Sequence, residues 1–302
     1  MNSYITVPIN IMQPNRQAIE KKTYVDVDVY VDNNINVDKP INIDKPINIG
    51  GNTFSNILST LDIQSIFRTV QGEGPFSGQP AIFIRLAGCN LQCPACDTDY
   101  TSQRVLMTIQ NIVDCVNDLI TGHAIKLIVI TGGEPLRQDI SQLCSMLYQA
   151  NYTVQIETNG TFGLPKNLQI LLNNTLNNTL NNTLNNMLNK EKIINKVPWF
   201  NIVCSPKTGK THPSLNPYIV AWKYVLSANS IATDGLPILT LGHSASPQIA
   251  RPNQGHQAPI YLQACDDKND ADNQLNQAAC IESCLKYGYT LQLQIHKYLN
   301  IE

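Results

Sequence analysis

Cys89, Cys93 and Cys96 stand in the run Gly88-Cys-Asn-Leu-Gln-Cys-Pro-Ala-Cys-Asp-Thr98, a C-x3-C-x2-C spacing. Thiolates are soft ligands, and three of them can hold three irons of a [4Fe–4S] cluster. The fourth iron then has no protein ligand, so a small molecule with an amine and a carboxylate can chelate it. S-adenosylmethionine is the biological molecule that does this, and one electron from the cluster breaks its carbon–sulfur bond to give an adenosyl radical. Zinc is the alternative, because cysteine runs also build closed tetrahedral sites, but those need a fourth Cys or His. The nearest downstream candidates, Cys115 and His123, have no paired spacing. A second motif, Thr131-Gly-Gly-Glu-Pro135, follows an apolar run directly. Two glycines let backbone approach a ligand closely, and Glu134 is a candidate acceptor for the ammonium of a bound amino acid. The plainer reading of this motif is a strand-to-helix turn with a capping carboxylate.

The elements that must position these motifs alternate in type. Ala81-Ile-Phe-Ile-Arg-Leu86 reads as a buried strand ending at the cysteine loop, and Lys126-Leu-Ile-Val-Ile130 as one ending at the glycine pair. Ile109 to Leu119 and Asp139 to Ala150 have helical spacing. Further strands are expected at Thr153–Glu157, Trp199–Cys204, Trp222–Leu226, Pro259–Gln263 and Thr290–Gln294, with a helix from about Asp272 to Tyr287 before the last. Strands alternating with helices predict an α/β fold with a parallel sheet. Such a sheet carries its chemistry in the loops after the strand C-termini, where each of these motifs falls.

Composition narrows the classes. Lys and Arg number 21 against 23 Asp and Glu, so no basic excess argues for nucleic-acid binding. No run approaches the ~18 apolar residues of a membrane helix. The chain start lacks a basic then apolar segment, so no secretory signal is expected and the nine cysteines read as reduced thiols of a cytoplasmic protein. Cys280 and Cys284, four apart on the expected helix, have no third ligand nearby.

Residues 1–60 differ from the rest: Ile35-Asn-Val-Asp-Lys-Pro40 is echoed by Ile41-Asn-Ile-Asp-Lys-Pro46, and Val25–Val31 alternates with period two. This segment reads as a low-complexity, mobile or loosely docked extension. Leu172-Asn-Asn-Thr recurs at Leu176 and Leu180, which predicts a low-complexity insertion at about 171–195, either a frayed helix or a surface loop. A polar loop is expected at about 242–257.

The cysteine run with its Gly-Gly-Glu-Pro turn resembles the radical S-adenosylmethionine (radical SAM) superfamily. More narrowly, Phe67-Arg-Thr-Val-Gln-Gly-Glu-Gly74, Ala81-Ile-Phe-Ile-Arg85, Cys96-Asp-Thr98 and the tail His296-Lys-Tyr-Leu-Asn-Ile-Glu302 resemble the 7-carboxy-7-deazaguanine synthase family over about residues 62–302. The resemblance implies a catalytic domain at 61–302 built as an abbreviated, partial (β/α) barrel with a mainly parallel sheet. It implies a carbon–nitrogen lyase of queuosine biosynthesis, in which 6-carboxy-5,6,7,8-tetrahydropterin contracts to 7-carboxy-7-deazaguanine and ammonia. It also implies one [4Fe–4S] cluster, S-adenosylmethionine, Mg2+, an electron donor such as flavodoxin or ferredoxin, and a homodimer. Another radical enzyme, such as a glycyl-radical activating enzyme, and an iron–sulfur electron carrier remain as alternatives. The first of these lacks Gln-Gly-Glu-Gly and the tail.

Residue roles follow by position. Arg85, ending an apolar strand, is a costly charge to bury unpartnered, and its planar fork fits the pterin carboxylate. Val70 (through its main chain), Gln71, Gly72 and Glu73 match the substrate-binding segment, an amide and a carboxylate being able to read a pterin edge. Thr131 and His296 match substrate contacts, and the free carboxylate at Glu302 is a further candidate. Thr98 matches the Mg2+ ligand. Ala95, Cys96, Asp97, Gly133, Glu134, Ser205, Pro206, Lys207, Gln263, Ala264, Cys265 and Asp266 match the S-adenosylmethionine pocket. Relatives often carry Gln-Pro where this chain has Gln263-Ala264, a change that a backbone contact survives.

Overall fold

A computed structural model of the chain describes residues 47–49, 52–54, 59–93, 96, 98, 104–186, 197–239 and 248–301. The chain divides into two units, residues 1–60 and 61–302. In the first, β1 (Ile47–Ile49) pairs antiparallel with β2 (Asn52–Phe54). The alternating run Val25–Val31 and the repeats at 35–46 lie outside the described residues.

The second unit runs β3 (Thr60–Val70), β4 (Pro80–Leu86), β5 (Val105–Thr108), α1 (Ile109–Ile120), β6 (Leu127–Gly132), α2 (Ser141–Gln149), β7 (Thr153–Thr158) and α3 (Lys166–Asn186). It continues through β8 (Phe200–Cys204), β9 (Ile219–Leu226), β10 (Ile260–Ala264), α4 (Asp270–Tyr287), β11 (Thr290–Gln292) and α5 (Ile295–Leu299). Its sheet has the order β11-β10-β9-β8-β7-β6-β4-β3-β5 and is open, because β11 and β5 are its two edges. From β4 to β11 every pairing is parallel, and β3 is antiparallel to β4. This is the mainly parallel α/β sheet that the strand–helix alternation predicts, unclosed as the family resemblance implies.

Helix ends follow their side chains. Thr108 caps α1 by accepting from the Asn111 amide, and Ile109, Ile112, Val113 and Val116 line one buried stripe. Asn269 caps α4 through the Ala271 and Asp272 amides, and the helix stops at Gly288 in the left-handed region, φ 76°. The repeat segment begins as helix: Leu168 and Leu172 of α3 are buried, and the Thr175 hydroxyl donates back to the Leu171 carbonyl.

Strand β3 went unread in the sequence for a physical reason. Its register slips between Ile63 and Ser65, so Leu61 and Ile63 are followed by two adjacent buried residues, Ile66 and Phe67. Such a bulge erases the period of two that marks a strand. Strand β9 starts at Ile219, earlier than expected, because the preceding 3-10 turn Pro213–Tyr218 ends there. Strand β11 is shorter than expected, since the Ile295 amide donates to the Gly72 carbonyl and turns the chain into α5.

The sheet's two faces differ, as alternation along each strand requires. Ile84, Ile130, Ile156, Ile202, Tyr224 and Leu262 face the helices in one buried core. The alternate positions on the opposite face carry Arg85, Thr131, Glu157, Lys223, Gln263 and Gln292, which neighbour register pairs such as Arg85↔Thr131 and Gln263↔Gln292 fix in place. An apolar cluster of Ala81, Leu127 and Val129 closes the amino end of that polar face.

Candidate active site

The cysteine loop leaves β4 and packs on the turn that leaves β6. The Gly133 amide donates to the Leu86 carbonyl at 3.2 Å, and the Glu134 amide to the Gly88 carbonyl at 3.0 Å. Contact this close depends on the missing side chain: a Cβ at Gly133 would lie 2.1 Å from the Gly88 oxygen. Gly133→Ala is therefore expected to cost about 3 kcal/mol, which lowers Tm by roughly 6–12 °C in a unit of this size. Calorimetry and iron content read together check this, since the displaced backbone is that of Gly88 and Cys89.

Asn90, inside the cysteine run, ties the loop to the end of β7. Its side chain accepts from Asn159 Nδ2 at 3.0 Å and donates to the Thr161 hydroxyl at 3.0 Å. Asn159 and Thr161 were not singled out in the sequence, although Thr158-Asn-Gly-Thr161 is a polar turn at a strand end. Cys89 and Cys93 are half-buried and Cys96 is exposed, with the Cys96 amide donating to the Cys93 carbonyl. Burial raises the Cys89 thiol pKa against the Leu91 amide, and raises that of Cys93 against the Lys207 ammonium.

Each of these two thiols also feels Cys96 electrically, so the three share one neighbourhood. Among the described residues no three His, Cys, Asp or Glu side chains close around a single point. Three thiols without a fourth Cys or His fit an iron–sulfur cluster with one open iron better than a closed zinc site.

Glu134 is fully buried and staples the turn. Its Oε1 accepts from the Leu136 amide and the Thr158 hydroxyl, and its Oε2 from the Asn159 amide at 2.8 Å. Burial raises its carboxyl pKa, opposed by those three donors. Oε2 keeps room for one further donor, such as an ammonium. Ser205, after β8, reaches the same edge through its amide to the Thr158 carbonyl. Lys207 donates to the Ser205 hydroxyl at 2.6 Å, and Pro206 is buried.

Of the other expected pocket residues, Gln263 accepts from Gln292 at 2.9 Å, and Ala264 closes β10. The Cys265 amide donates to the Leu226 carbonyl, and its buried thiol, pushed up to about 12 by burial and Asp267, donates to Asp267. Asp266 is exposed and pairs with Lys297. Ala95, Asp97 and Glu302 lie outside the described residues. Thr98 is half-buried, and its carbonyl accepts from Cys96 Sγ at 3.6 Å.

On the polar face the expected substrate residues converge on a group the sequence reading missed. Glu157 accepts from Gln71 at 3.1 Å and Gln155 at 2.9 Å through one oxygen, and from the Thr131 hydroxyl at 2.9 Å through the other. Arg85 stands beside Thr131 in register. Its Nε is buried with no hydrogen-bond partner, and its guanidinium lies 5.4 Å from the Phe67 ring centroid.

Val70 ends β3, and the loop Gln71–Gly74 arches over this face. Glu73 pairs with Lys223 of β9, and the Gly74 amide donates to Gln292 of β11 at 2.8 Å. Gln294 donates to the second Glu73 oxygen at 2.8 Å. His296 packs so closely that a Cβ on Gly72 would sit 2.2 Å from its Nδ1. The alternation Thr153-Val-Gln-Ile-Glu157, polar at every second position of a buried strand, was the available signal for Glu157.

A thiol triplet and a Gly-Gly-Glu turn at the carboxyl edge of an open parallel sheet define a radical SAM protein, and the radical SAM superfamily profile matches residues 83–200. Two curated relatives narrow this class. The chain is 38% identical over 253 residues to the 7-carboxy-7-deazaguanine synthase of Rhodospirillum rubrum, covering 80% of this chain and 93% of the relative. It is 37% identical over 268 residues to that of Rickettsia prowazekii, covering 84% and 95%. The chain belongs to the 7-carboxy-7-deazaguanine synthase family. The crystal structure of QueE from Escherichia coli, 20% identical, superposes with a TM-score of 0.52 over 78% of this chain and 94% of that one, and so shares the fold. Membership of the superfamily implies a [4Fe–4S] cluster and S-adenosylmethionine.

Proposed function

We propose that this protein converts 6-carboxy-5,6,7,8-tetrahydropterin to 7-carboxy-7-deazaguanine and ammonia, a step of queuosine and deazapurine synthesis. The observation that carries the reading is the unpartnered, buried Arg85 Nε, one strand from a glutamate ringed by two amides and a hydroxyl. A ligand with a carboxylate and a hydrogen-bonding heterocycle answers both features.

Cys89, Cys93 and Cys96 hold the cluster by their thiolates. The bound cluster and S-adenosylmethionine supply hydrogen-atom abstraction by a 5′-deoxyadenosyl radical, directed at the pterin carbon that bears the carboxylate. Gly133, Glu134, Ser205, Pro206 and Lys207, with Gln263–Asp266 across the sheet, line the cosubstrate side. The resemblance assigns Ala95 and Asp97 to the same cosubstrate. Arg85 orients the pterin by its carboxylate. Gln71, Gly72 and Glu73, with the Val70 main chain, read the ring edge from above, and Thr131 reads it from below. His296 contacts the substrate from the tail side, and the resemblance makes the carboxylate at Glu302 a further substrate contact. Thr98 supplies one oxygen to Mg2+, an ion that takes few protein ligands. A flavodoxin or ferredoxin delivers the electron, and the enzyme works as a cytoplasmic homodimer. Among the described residues no helix is long and apolar enough to cross a membrane.

The test is an anaerobic assay of reconstituted protein with the carboxytetrahydropterin, S-adenosylmethionine, Mg2+ and a reductant, product being read by mass spectrometry. No product from protein that carries its full iron complement rejects the reading. In the same assay, deletion of residues 2–58 is expected to change turnover by less than about twofold, because every site residue named here lies beyond it. A tenfold loss would place the first unit in the catalytic machinery.

A further inference from the structure

We infer that Lys223 is a positioning residue, which holds the Glu73 carboxylate in the place and charge state that reads the pterin ring. This rests on the reading of Gln71–Glu73 as the ring-reading loop. Lys223 is no part of that loop: it projects from the middle of β9, on the polar face, in register with Tyr261. The loop descends from the β3–β4 hairpin and meets it there, both side chains being largely buried, 18% and 12% exposed.

A carboxylate so enclosed would take up a proton unless a cation faced it. Burial does raise the Glu73 pKa, but the Lys223 charge and its hydrogen bond, with the Gln294 hydrogen bond and the His296 charge, hold it below the ordinary value. These are the groups that face it from β9, the tail and α5. The consequence is chemical. The amino and ring N–H groups on a pterin edge are donors and need an acceptor-only partner. An ionised carboxylate is one; a protonated carboxyl puts a donor of its own on that edge. The Lys223 charge thus decides which ring edge the loop accepts. Gln294 shares the second Glu73 oxygen, and the adjoining Ile295 amide bonds the Gly72 carbonyl, so the tail fixes the same carboxylate from the opposite side.

The experiment measures binding of 6-carboxypterin, a fluorescent and unreactive analogue, to cluster-loaded protein with S-adenosylmethionine between pH 5 and 9. Lys223→Gln is expected to weaken binding about tenfold at neutral pH and to move the acid limb upward by about one unit. Lys223→Arg should restore the wild-type limb. In a Glu73→Gln background, Lys223→Gln should cost nothing more.

A limb that stays in place in Lys223→Gln, or an equal further loss in the Glu73→Gln background, overturns the inference. If Lys223→Gln does not accumulate folded, the double variant Lys223→Met/Glu73→Gln, which leaves no unpaired buried charge, replaces it. Binding weaker than Glu73→Gln alone then overturns the inference. Wild-type protein that binds 6-carboxypterin no better than a pterin without the carboxylate would instead reject the functional reading.

Discussion

Cys93→Ala protein, reconstituted anaerobically with iron and sulfide, is expected to carry no [4Fe–4S] cluster and to form product at background level, a loss of at least about 1,000-fold. The cluster needs three thiolates, and among the described residues no other Cys or His completes a metal-holding group at the loop to replace the middle one. The fold should survive. What holds the loop down is Asn90 on Asn159 and Thr161, together with the Gly133 and Glu134 amides on Leu86 and Gly88. Cys93 takes part in none of these contacts through its side chain. A melting temperature within about 2 °C of wild type is therefore expected beside the complete loss of iron absorbance. A variant that keeps its cluster would remove Cys93 from the ligand set. Wild-type protein that binds zinc with four protein donors would reverse the choice between the two metal readings made from spacing alone.

That choice shows what this sequence discloses. The thiol spacing and the Gly-Gly-Glu turn are local, because each needs only residues adjacent in the chain, and each falls where the structure ends a strand. Apolar runs such as Ala81–Leu86 and Leu127–Ile130 are equally local, so the parallel sheet could be read from them. What stayed hidden depends on register. Glu157, Lys223 and the pair Gln292 and Gln294 come from three distant segments and meet only because β7, β9 and β11 belong to one sheet under the Gln71–Gly74 arch. Taken singly, Lys223 in Trp222-Lys-Tyr-Val looks like an exposed strand lysine. Its burial follows from the opposite face being polar too, which no single strand can reveal. The bulge in β3 hid an eleven-residue strand in the same way, by breaking a period that only pairing with β4 explains.

Glu134 shows the converse, a residue legible in type but not in duty. The motif marks it as an acceptor for a bound ammonium. The fold first employs it to join three donors from β7 and the turn, with one lone pair left over. Motif residues of this kind carry both stability and chemistry, so their substitution cannot separate the two. A residue with few contacts of its own is the better probe of binding, and Arg85 is such a residue.

Arg85→Met is expected to abolish product formation while leaving the folded protein as stable as wild type or more so. Arg85, half-buried near the end of β4, has its Nε enclosed and unpartnered, and its ring contact with Phe67 is the one attractive interaction described for it. An enclosed donor without an acceptor opposes folding, and an apolar side chain of similar length removes that opposition. Methionine keeps the length and packs on the aromatic ring. Binding should respond in the other direction. Removal of one partner from a desolvated charge pair costs about 3 kcal/mol, so 6-carboxypterin affinity should fall about 100-fold or more. A pterin lacking the carboxylate should bind both proteins alike. Arg85→Lys should recover little, since an ammonium does not present the planar fork that matches a carboxylate. Isothermal titration with the two pterins and calorimetry of the free proteins settle the matter together. Equal losses for both ligands would show that Arg85 supports the pocket without reading the carboxylate, and a large drop in melting temperature would show that its charge is paired in the free protein.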